Sequence, residues 1–494
     1  MKTGFDNELY IKIQTEQILH RCEAARGKLY LEFGGKLFDD YHASRVLPGF
    51  DVNAKFKLLN HLKDQIEIIM CINAQDIDKN KIQGDFGISY DMDALRLIDN
   101  LRGNGLYVSA IVLTMYESQP KATAFYDSML RREEKITIHK PTKGYPTDIE
   151  KIVSAEGYGA NPYIETTMPI VVVTAPGGSS GKLATCLSQV YHEHLRGVNA
   201  GYAKFETFPI WNLPLKHPVN LAYEAATADL NDVNMIDPFH LEAYAETTVN
   251  YNRDIEVFPI LKSILSKISG GESIYQSPTD MGVNMAGKCI TDDQSVRAAA
   301  VQEIIRRYYR TQCDYKKGRV DESAVRKIEL IMSQLDIKKE DRKVVVPAFD
   351  KEKEKGVPAV AIMLPDGRIA AGRSTDLMSA PSSAILNAIK ELSGISDQMH
   401  LISPVVIEPI LTLKAKTLGI KKFSLNLDDI LIALSICAAT NPMAEAAVKA
   451  LDQLRGCEAH STYMLTQADE NIMHKLRINL TCEPNYPTKD LFYD

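Results

Sequence analysis

Residues 169–190 read PIVVVTAPGGSSGKLATCLSQV. Pro169 to Thr174 is a short apolar, β-branched run of buried-strand length, and a helical period resumes near Leu183. Between them lie Gly177, Gly178, Ser179, Ser180, Gly181 and Lys182. A strand that turns through glycines into a helix aims several backbone N–H groups and the positive end of the helix dipole at one point. That arrangement suits a phosphate. Lys182 would add a cation and the two serines hydroxyl donors. The stretch departs from GxxxxGK[ST] in two places: Pro176 stands where the first glycine belongs, and Leu183 replaces the hydroxyl that holds magnesium. Thr185 is no substitute, because two further residues along a helix point about 200° away. The loop therefore either cradles a phosphate or is a tight βα turn needing glycine for packing.

The flanking sequence repeats the alternation of strand and helix. Strands are expected at Lys28 to Phe33, Gln65 to Ala74, Leu106 to Thr114, Lys135 to His139 and Gly201 to Thr207. Helices are expected between them, at Asp93 to Leu101, Pro120 to Arg132 and Leu183 to Leu195. Such alternation predicts an α/β domain over residues 1–216, with a mostly parallel sheet covered on both faces. Long helical periods at Val219 to Leu230, Asp254 to Ile268 and Asp293 to Arg310 predict a helical domain over 217–342. A third, α/β domain is expected over 343–494. Its strands are read at Val344 to Pro347 and Val357 to Leu364, with the charge run Asp350 to Lys355 as a loop between them. Asp366-Gly367 makes a hairpin turn to a return strand at Arg368 to Ala371. Helices follow at Ser382 to Leu392, Leu427 to Ala438 and Pro442 to Leu454, with Asn441 as an N-cap.

Composition limits the partners. The apolar fraction of 45% and charged fraction of 24% are those of a folded globular chain. A net charge of -7, with no basic face carrying aromatics, argues against nucleic acid. No apolar run approaches the roughly 20 residues of a membrane helix, and the N-terminus lacks a signal peptide. The cysteines form no CxxC pair, so a reducing, cytoplasmic setting is expected, with no membrane and no structural zinc.

Further polar groups accompany the glycine loop. Gly34, Gly35 and Lys36 follow the first strand in LEFGGKLFDDYHASRVLPGF, with Asp40, His42 and Arg45 close behind. Two glycine turns at strand ends of one sheet would converge on one crevice. Lys204 and Glu206 alternate on a strand, as ligand groups or as a buried ion pair. Arg253, Thr279 and Asp280 are candidates for a second wall, Arg253 because its planar fork can pair with a carboxylate or phosphate. Their alternative is a capping network between helices. His192 and His194 cannot chelate together, since HExxH is absent. The favoured function is an enzyme that binds a nucleotide or another small phosphorylated metabolite, with phosphoryl transfer as the weakly favoured chemistry. The alternatives are a non-catalytic metabolite-binding protein and a purely structural use of the glycines. Magnesium dependence is left open.

Residues 359–392 have the hairpin-then-helix rhythm of the cytidine-deaminase fold. Ser382, Ser383 and Asn441-Pro442-Met443 stand where that family needs His or Cys, Glu and PCxxC, so zinc deamination is excluded and only the fold likeness is expected. The chain as a whole resembles a bacterial family known as domain of unknown function 1846. The resemblance rests on FGGKLFDDYHASRVLPGF, TAPGGSSGKLATCLSQVYHE, AKFETFPIWNLPLKHPVNLAYEAATADL, YNRDIEVFP and SPTDMGVNMAG, and more loosely on IEPI and EAHSTYML. It implies a bacterial cytosolic protein that forms a homo-oligomer.

Overall fold

A computed structural model of the chain describes residues 3–82, 88–420 and 424–488. It divides into two compact units: Met1–Glu224 with Asp232–Ala300, and Ala225–Asn231 with Val301–Asp494. Residues 217–342, expected as a helical domain, are shared between the two.

The first unit contains β1 (Lys28–Phe33), β2 (Ile66–Asn73), β3 (Val108–Thr114), β4 (Ile136–Ile138), β5 (Ile170–Thr174) and β6 (Ala200–Phe205). Three short strands follow: β7 (Asn234–Ile236), β8 (Val249–Tyr251) and β9 (Gly282–Val283). Seven of these make one sheet in the order β4-β3-β2-β5-β1-β6-β9, and every pairing in it is parallel. The parallel α/β sheet expected from the alternation is the one observed. Every residue of β2, β3 and β5 is buried, which is why these strands read as unbroken apolar runs and not as alternating ones. On one face, Tyr30, Val171, Val173 and Tyr202 pack against Cys186, Leu187 and Val190 of helix Lys182–Leu195 and Phe258, Leu261 and Ile264 of helix Asn252–Ser269. On the other, Phe33 stacks on Phe205 with ring centroids 4.0 Å apart.

The strand order positions the site. The connection from β1 to β2 passes over the place of β5, and the connection from β5 to β6 passes over β1 in the opposite direction. The chain therefore reverses between β1, β2 and β5, and the carboxyl ends of strands at such a reversal are where open parallel sheets bind ligands. The β7–β8 pair, antiparallel, and β9 lie within the stretch expected as a helical domain.

The second unit is built on β10 (Ala359–Met363), β11 (Ile369–Arg373), β12 (Glu458–Ser461) and β13 (Asn479–Cys482), in the order β11-β10-β12-β13. The first two form the expected hairpin, β12 runs antiparallel to β10, and β13 lies parallel to β12. Asn441 caps helix Pro442–Ala450 and Thr466 caps helix Gln467–Lys475, both through their side chains. One expected element is corrected. Val344 to Pro347 is not a strand but the entry to helix Val345–Lys353, which also takes up most of the charge run read as a loop. Val344, Val345 and Ala348 are buried while Val346 is 47% exposed, a helical spacing that four residues could not reveal. Pro347 falls in the first turn, where its missing N–H costs nothing.

Candidate functional site

β5 delivers the chain to the carboxyl end of the sheet, and residues 175–181 follow before helix Lys182–Leu195 begins. Gly181 is the N-cap, in the left-handed region at φ 80°. The loop is tethered through its carbonyls. The Asn73 side-chain amide donates to Ser179 O at 2.9 Å, and the Thr114 hydroxyl donates to Ser180 O at 2.7 Å. These two anchors are the last residues of β2 and β3. Among the described residues, no hydrogen bond is recorded to the main-chain N–H groups from Gly177 to Leu183. Lys182 curls back over the loop, 3.2 Å from Ser180 Oγ and 3.4 Å from Gly177 O. Gly177 sits against Tyr90: a Cβ there would lie 2.5 Å from the ring. Leu183 packs into the core under the sheet, and Thr185 is fully buried, 3.5 Å from the Cys71 thiol. Neither can hold a magnesium ion beside a phosphate on the loop.

Two strands away lies a second polar group. Lys204 Nζ is 2.6 Å from Glu206 and 2.6 Å from Asp254. Glu32, in register with Lys204 on the neighbouring strand, accepts from the Tyr202 hydroxyl at 2.8 Å. One ammonium thus pairs with two carboxylates, from the end of β6 and the first turn of helix Asn252–Ser269, with the Glu32 carboxylate of β1 as a charged neighbour. Burial raises the Glu206 carboxyl most; Lys204 pulls it back, Asp254 and Glu32 push it up again, and the balance leaves it at about 7. Lys204 is held above its ordinary value: burial alone would lower it, and the surrounding carboxylates outweigh that.

The remaining candidates are engaged in the fold. Gly34 and Gly35 turn the chain after β1, and Lys55 approaches Gly34 O at 3.4 Å while pairing with Asp40 at 2.9 Å. Burial would raise the Asp40 carboxyl, but Lys55 more than reverses this and holds it below the ordinary range. Asp40 also caps helix Tyr41–Val46. His42 lies between Phe208 and Tyr223, 5.4 Å from each ring. Lys36 is exposed and Arg45 half-buried. Arg253 spends its fork on Asp232, through Nε at 2.6 Å and a terminal nitrogen at 2.8 Å. Thr279 donates to Asp237 at 2.7 Å, and Asp280 closes a capping box with Ser277 and accepts from Tyr244. Arg253, Thr279 and Asp280 thus stand in the network offered as their alternative. Among the described residues, no group of three or more His, Cys, Asp or Glu side chains is placed to hold a metal ion, and no helix is long and apolar enough to cross a membrane.

Two family models cover nearly all of this chain: domain of unknown function DUF1846, N-terminal, over residues 3–336, and domain of unknown function DUF1846, C-terminal, over residues 340–492. The chain belongs to the DUF1846 family. It is 58% identical over 502 residues to a UPF0371 protein of Clostridium botulinum (strain Alaska E43 / Type E3), with 100% of both chains covered. It is 57% identical over 501 residues to a UPF0371 protein of Clostridioides difficile (strain 630), and 57% identical over 502 residues to one of Clostridium tetani, again over 100% of each chain.

Sequence reasoning missed Asn73, Thr114 and Glu32 in this DUF1846 chain. Each is a polar residue at or near the carboxyl end of an otherwise apolar strand, and that position is the signal that could have found them. Glu206 has a testable signature. Its folded-state value lies above the unfolded one, so the folded protein binds the extra proton and loses stability as pH rises from about 4.5 to about 7. Glu206→Gln removes that loss. Relative to wild type, the variant should gain on the order of 2 kcal/mol between pH 5 and pH 8 in urea unfolding. A difference that does not change with pH would mean the carboxyl is ionised throughout.

Proposed function

We propose that this protein is an enzyme that binds a nucleotide or another small phosphorylated metabolite at the carboxyl ends of the central strands β1, β2 and β5. The observation that carries this is the loop of residues 177–183: its N–H groups carry no recorded partner, its carbonyls are tied to Asn73 and Thr114, and Lys182 closes over it. Backbone N–H groups and a helix dipole aimed at one point favour a dianion without any reorganisation on binding. A mere βα turn does not require both preceding strands to supply anchors. Enzymatic use, in preference to simple storage, is favoured by the Lys204–Glu206–Asp254 cluster. A carboxyl held near neutrality beside a lysine can take or give a proton at physiological pH. Because Leu183 faces the core, magnesium bound in the manner of a P-loop plays no part in this reading. Isothermal titration with inorganic phosphate, pyrophosphate and ATP tests it. At least one should bind, and Lys182→Ala should weaken that binding several-fold to a hundredfold with folding intact. Affinity unchanged in the variant would return the loop to a packing role.

For the C-terminal unit we propose a deaminase-like layer without zinc. Its support is the hairpin β10–β11 followed by a helix, with strand order β11-β10-β12-β13, and Ser382, Ser383 and Met443 at the comparable metal-binding places. Stoichiometric zinc in the purified protein would overturn it.

A further inference from the structure

The phosphate loop accounts for one end of a ligand, and the polar cluster over β6 suggests what the other end is. We infer that the ligand is a phosphorylated sugar or polyol, with its hydroxyl-bearing end held by Glu32, Lys204, Glu206, Asp254 and the Tyr251 hydroxyl. This rests on the reading of the loop given above and adds the substrate class.

The spacing comes from the sheet. Glu32 is in register with Val173 on one side and with Lys204 on the other. In-register residues of parallel strands face the same way, and adjacent strands lie about 4.8 Å apart, so Lys204 is about 10 Å from the strand that feeds the loop. A phosphate ester of a small sugar is long enough to reach two strands over, past the end of β1.

The cluster is also reachable. The side chains of Lys204 and Asp254 are 27% and 26% exposed, against 9% for Glu206. An ion pair that served only the core would be closed over. Tyr251 provides the independent observation. The residue is 5% exposed, and its hydroxyl is buried with no hydrogen-bond partner among the described residues. Buried hydroxyls in native proteins are nearly always satisfied, and one without a partner points to a missing group. Burial, with the neighbouring Tyr223, Glu206 and Asp254, keeps the proton on this hydroxyl well above its ordinary value, so it remains a donor. Its ring stacks on Tyr223 at 5.4 Å, and Tyr223 stacks on Phe208 at 5.2 Å, which fixes the direction of the Tyr251 hydroxyl.

The chemistry selects hydroxyls over an amine or an acid. The Tyr251 hydroxyl needs an acceptor, while Glu32 and Asp254 of the same cluster offer acceptors of their own, so the ligand group must both accept and donate. A ligand ammonium would donate but would lie against the charge of Lys204. A carboxylate would add to the negative surplus. Hydroxyls donate without charge, and each can also accept from Lys204 or Tyr251.

Titration of the full-length protein with inorganic phosphate, glucose-6-phosphate, ribose-5-phosphate and phosphoethanolamine decides the matter. At least one sugar phosphate should bind ten or more times tighter than inorganic phosphate, and phosphoethanolamine should show no such gain. Tyr251→Phe removes one oxygen and leaves the stack, and Asp254→Asn keeps the shape of the first helical turn. Each should weaken the sugar phosphate at least fivefold and leave inorganic phosphate unchanged, whereas Lys182→Ala weakens both. Sugar phosphates binding no tighter than phosphate, or phosphoethanolamine binding tightest, overturns the substrate class and leaves the loop reading standing. Sugar-phosphate affinity unaffected by Tyr251→Phe and by Asp254→Asn overturns the placement over β6. Failure of every probe to bind overturns the loop reading as well.

Discussion

Arg342→Ala should destabilise the C-terminal unit by about 3–5 kcal/mol, the range for a buried charge pair that loses one partner. Arg342 is fully buried. Its guanidinium donates to the Glu458 carboxylate, to the Thr481 hydroxyl at 2.9 Å, to Ala459 O at 3.1 Å and to Asn479 O at 2.6 Å. It therefore stitches β12 to β13 from the chain segment that precedes helix Val345–Lys353. Glu458 is shared: Arg306 reaches it at 2.9 Å and also pairs with Glu303 at 2.8 Å. Burial would raise the Glu458 carboxyl, and the two guanidiniums more than reverse this, holding it below the ordinary range. Truncating Arg342 leaves that carboxylate with one cation, takes a donor from each of two carbonyls (Ala459 O keeps the Thr481 hydroxyl) and opens a cavity as long as the side chain. No water-exposed route is available for compensation, because Glu458 and Thr481 are themselves buried. Urea unfolding followed by far-ultraviolet circular dichroism measures the loss. Arg342→Lys should recover only part of it, since an ammonium cannot hold a carboxylate, a hydroxyl and two carbonyls in one plane. A loss below about 1 kcal/mol for the alanine variant would show that the network contributes little beyond packing.

Gly181→Ala should cost about 2–4 kcal/mol and weaken phosphate binding more than tenfold, two effects with one origin. Gly181 has φ of 80°, where a Cβ is disfavoured by about 1–2 kcal/mol. The added carbon would also lie 2.8 Å from Thr114 Cβ and 2.9 Å from its Oγ1 and Cγ2. Thr114 cannot swing aside cheaply, because its hydroxyl is committed to Ser180 O at 2.7 Å. The loop must therefore lift from the ends of β2 and β3, and the N–H groups it presents turn away from their common focus. Gly178→Ala is the control. A Cβ there meets nothing within 4 Å, so stability should change little. Equal losses at both positions would show that any side chain on the loop is harmful and that the Thr114 anchor is unimportant. Equal phosphate affinity in the Gly181 variant and wild type would remove this loop from the binding site.

Most of the strands, turns and helix starts of this protein, with the glycine turn after β5, are written in residues adjacent in the chain. β-Branched runs at Ile66–Asn73, Val108–Thr114 and Ile170–Thr174 could be nothing but buried strands, because each is too short and too apolar to serve as a surface helix. The alternation with helices required a parallel sheet, and Asn441-Pro442 marked a helix start by satisfying an N–H group two residues away. The loop at Gly177 to Lys182 was legible for the same reason: its geometry is dictated by residues adjacent in the chain. Where Val344 to Pro347 was misread, the deciding information was which side chains met β10, and that is a long-range fact. The polar cluster depends on such facts entirely. Glu32, Lys204 and Asp254 come from three separate segments, and only the strand order that sets β1 between β5 and β6 brings them together. Arg253 was equally open, as a free fork or a tethered one, until folding placed Asp232 against it. Turns and caps are settled by steric limits and hydrogen bonds a few residues apart. The partner of a charged side chain is settled by burial, and burial exists only once the sheet has closed.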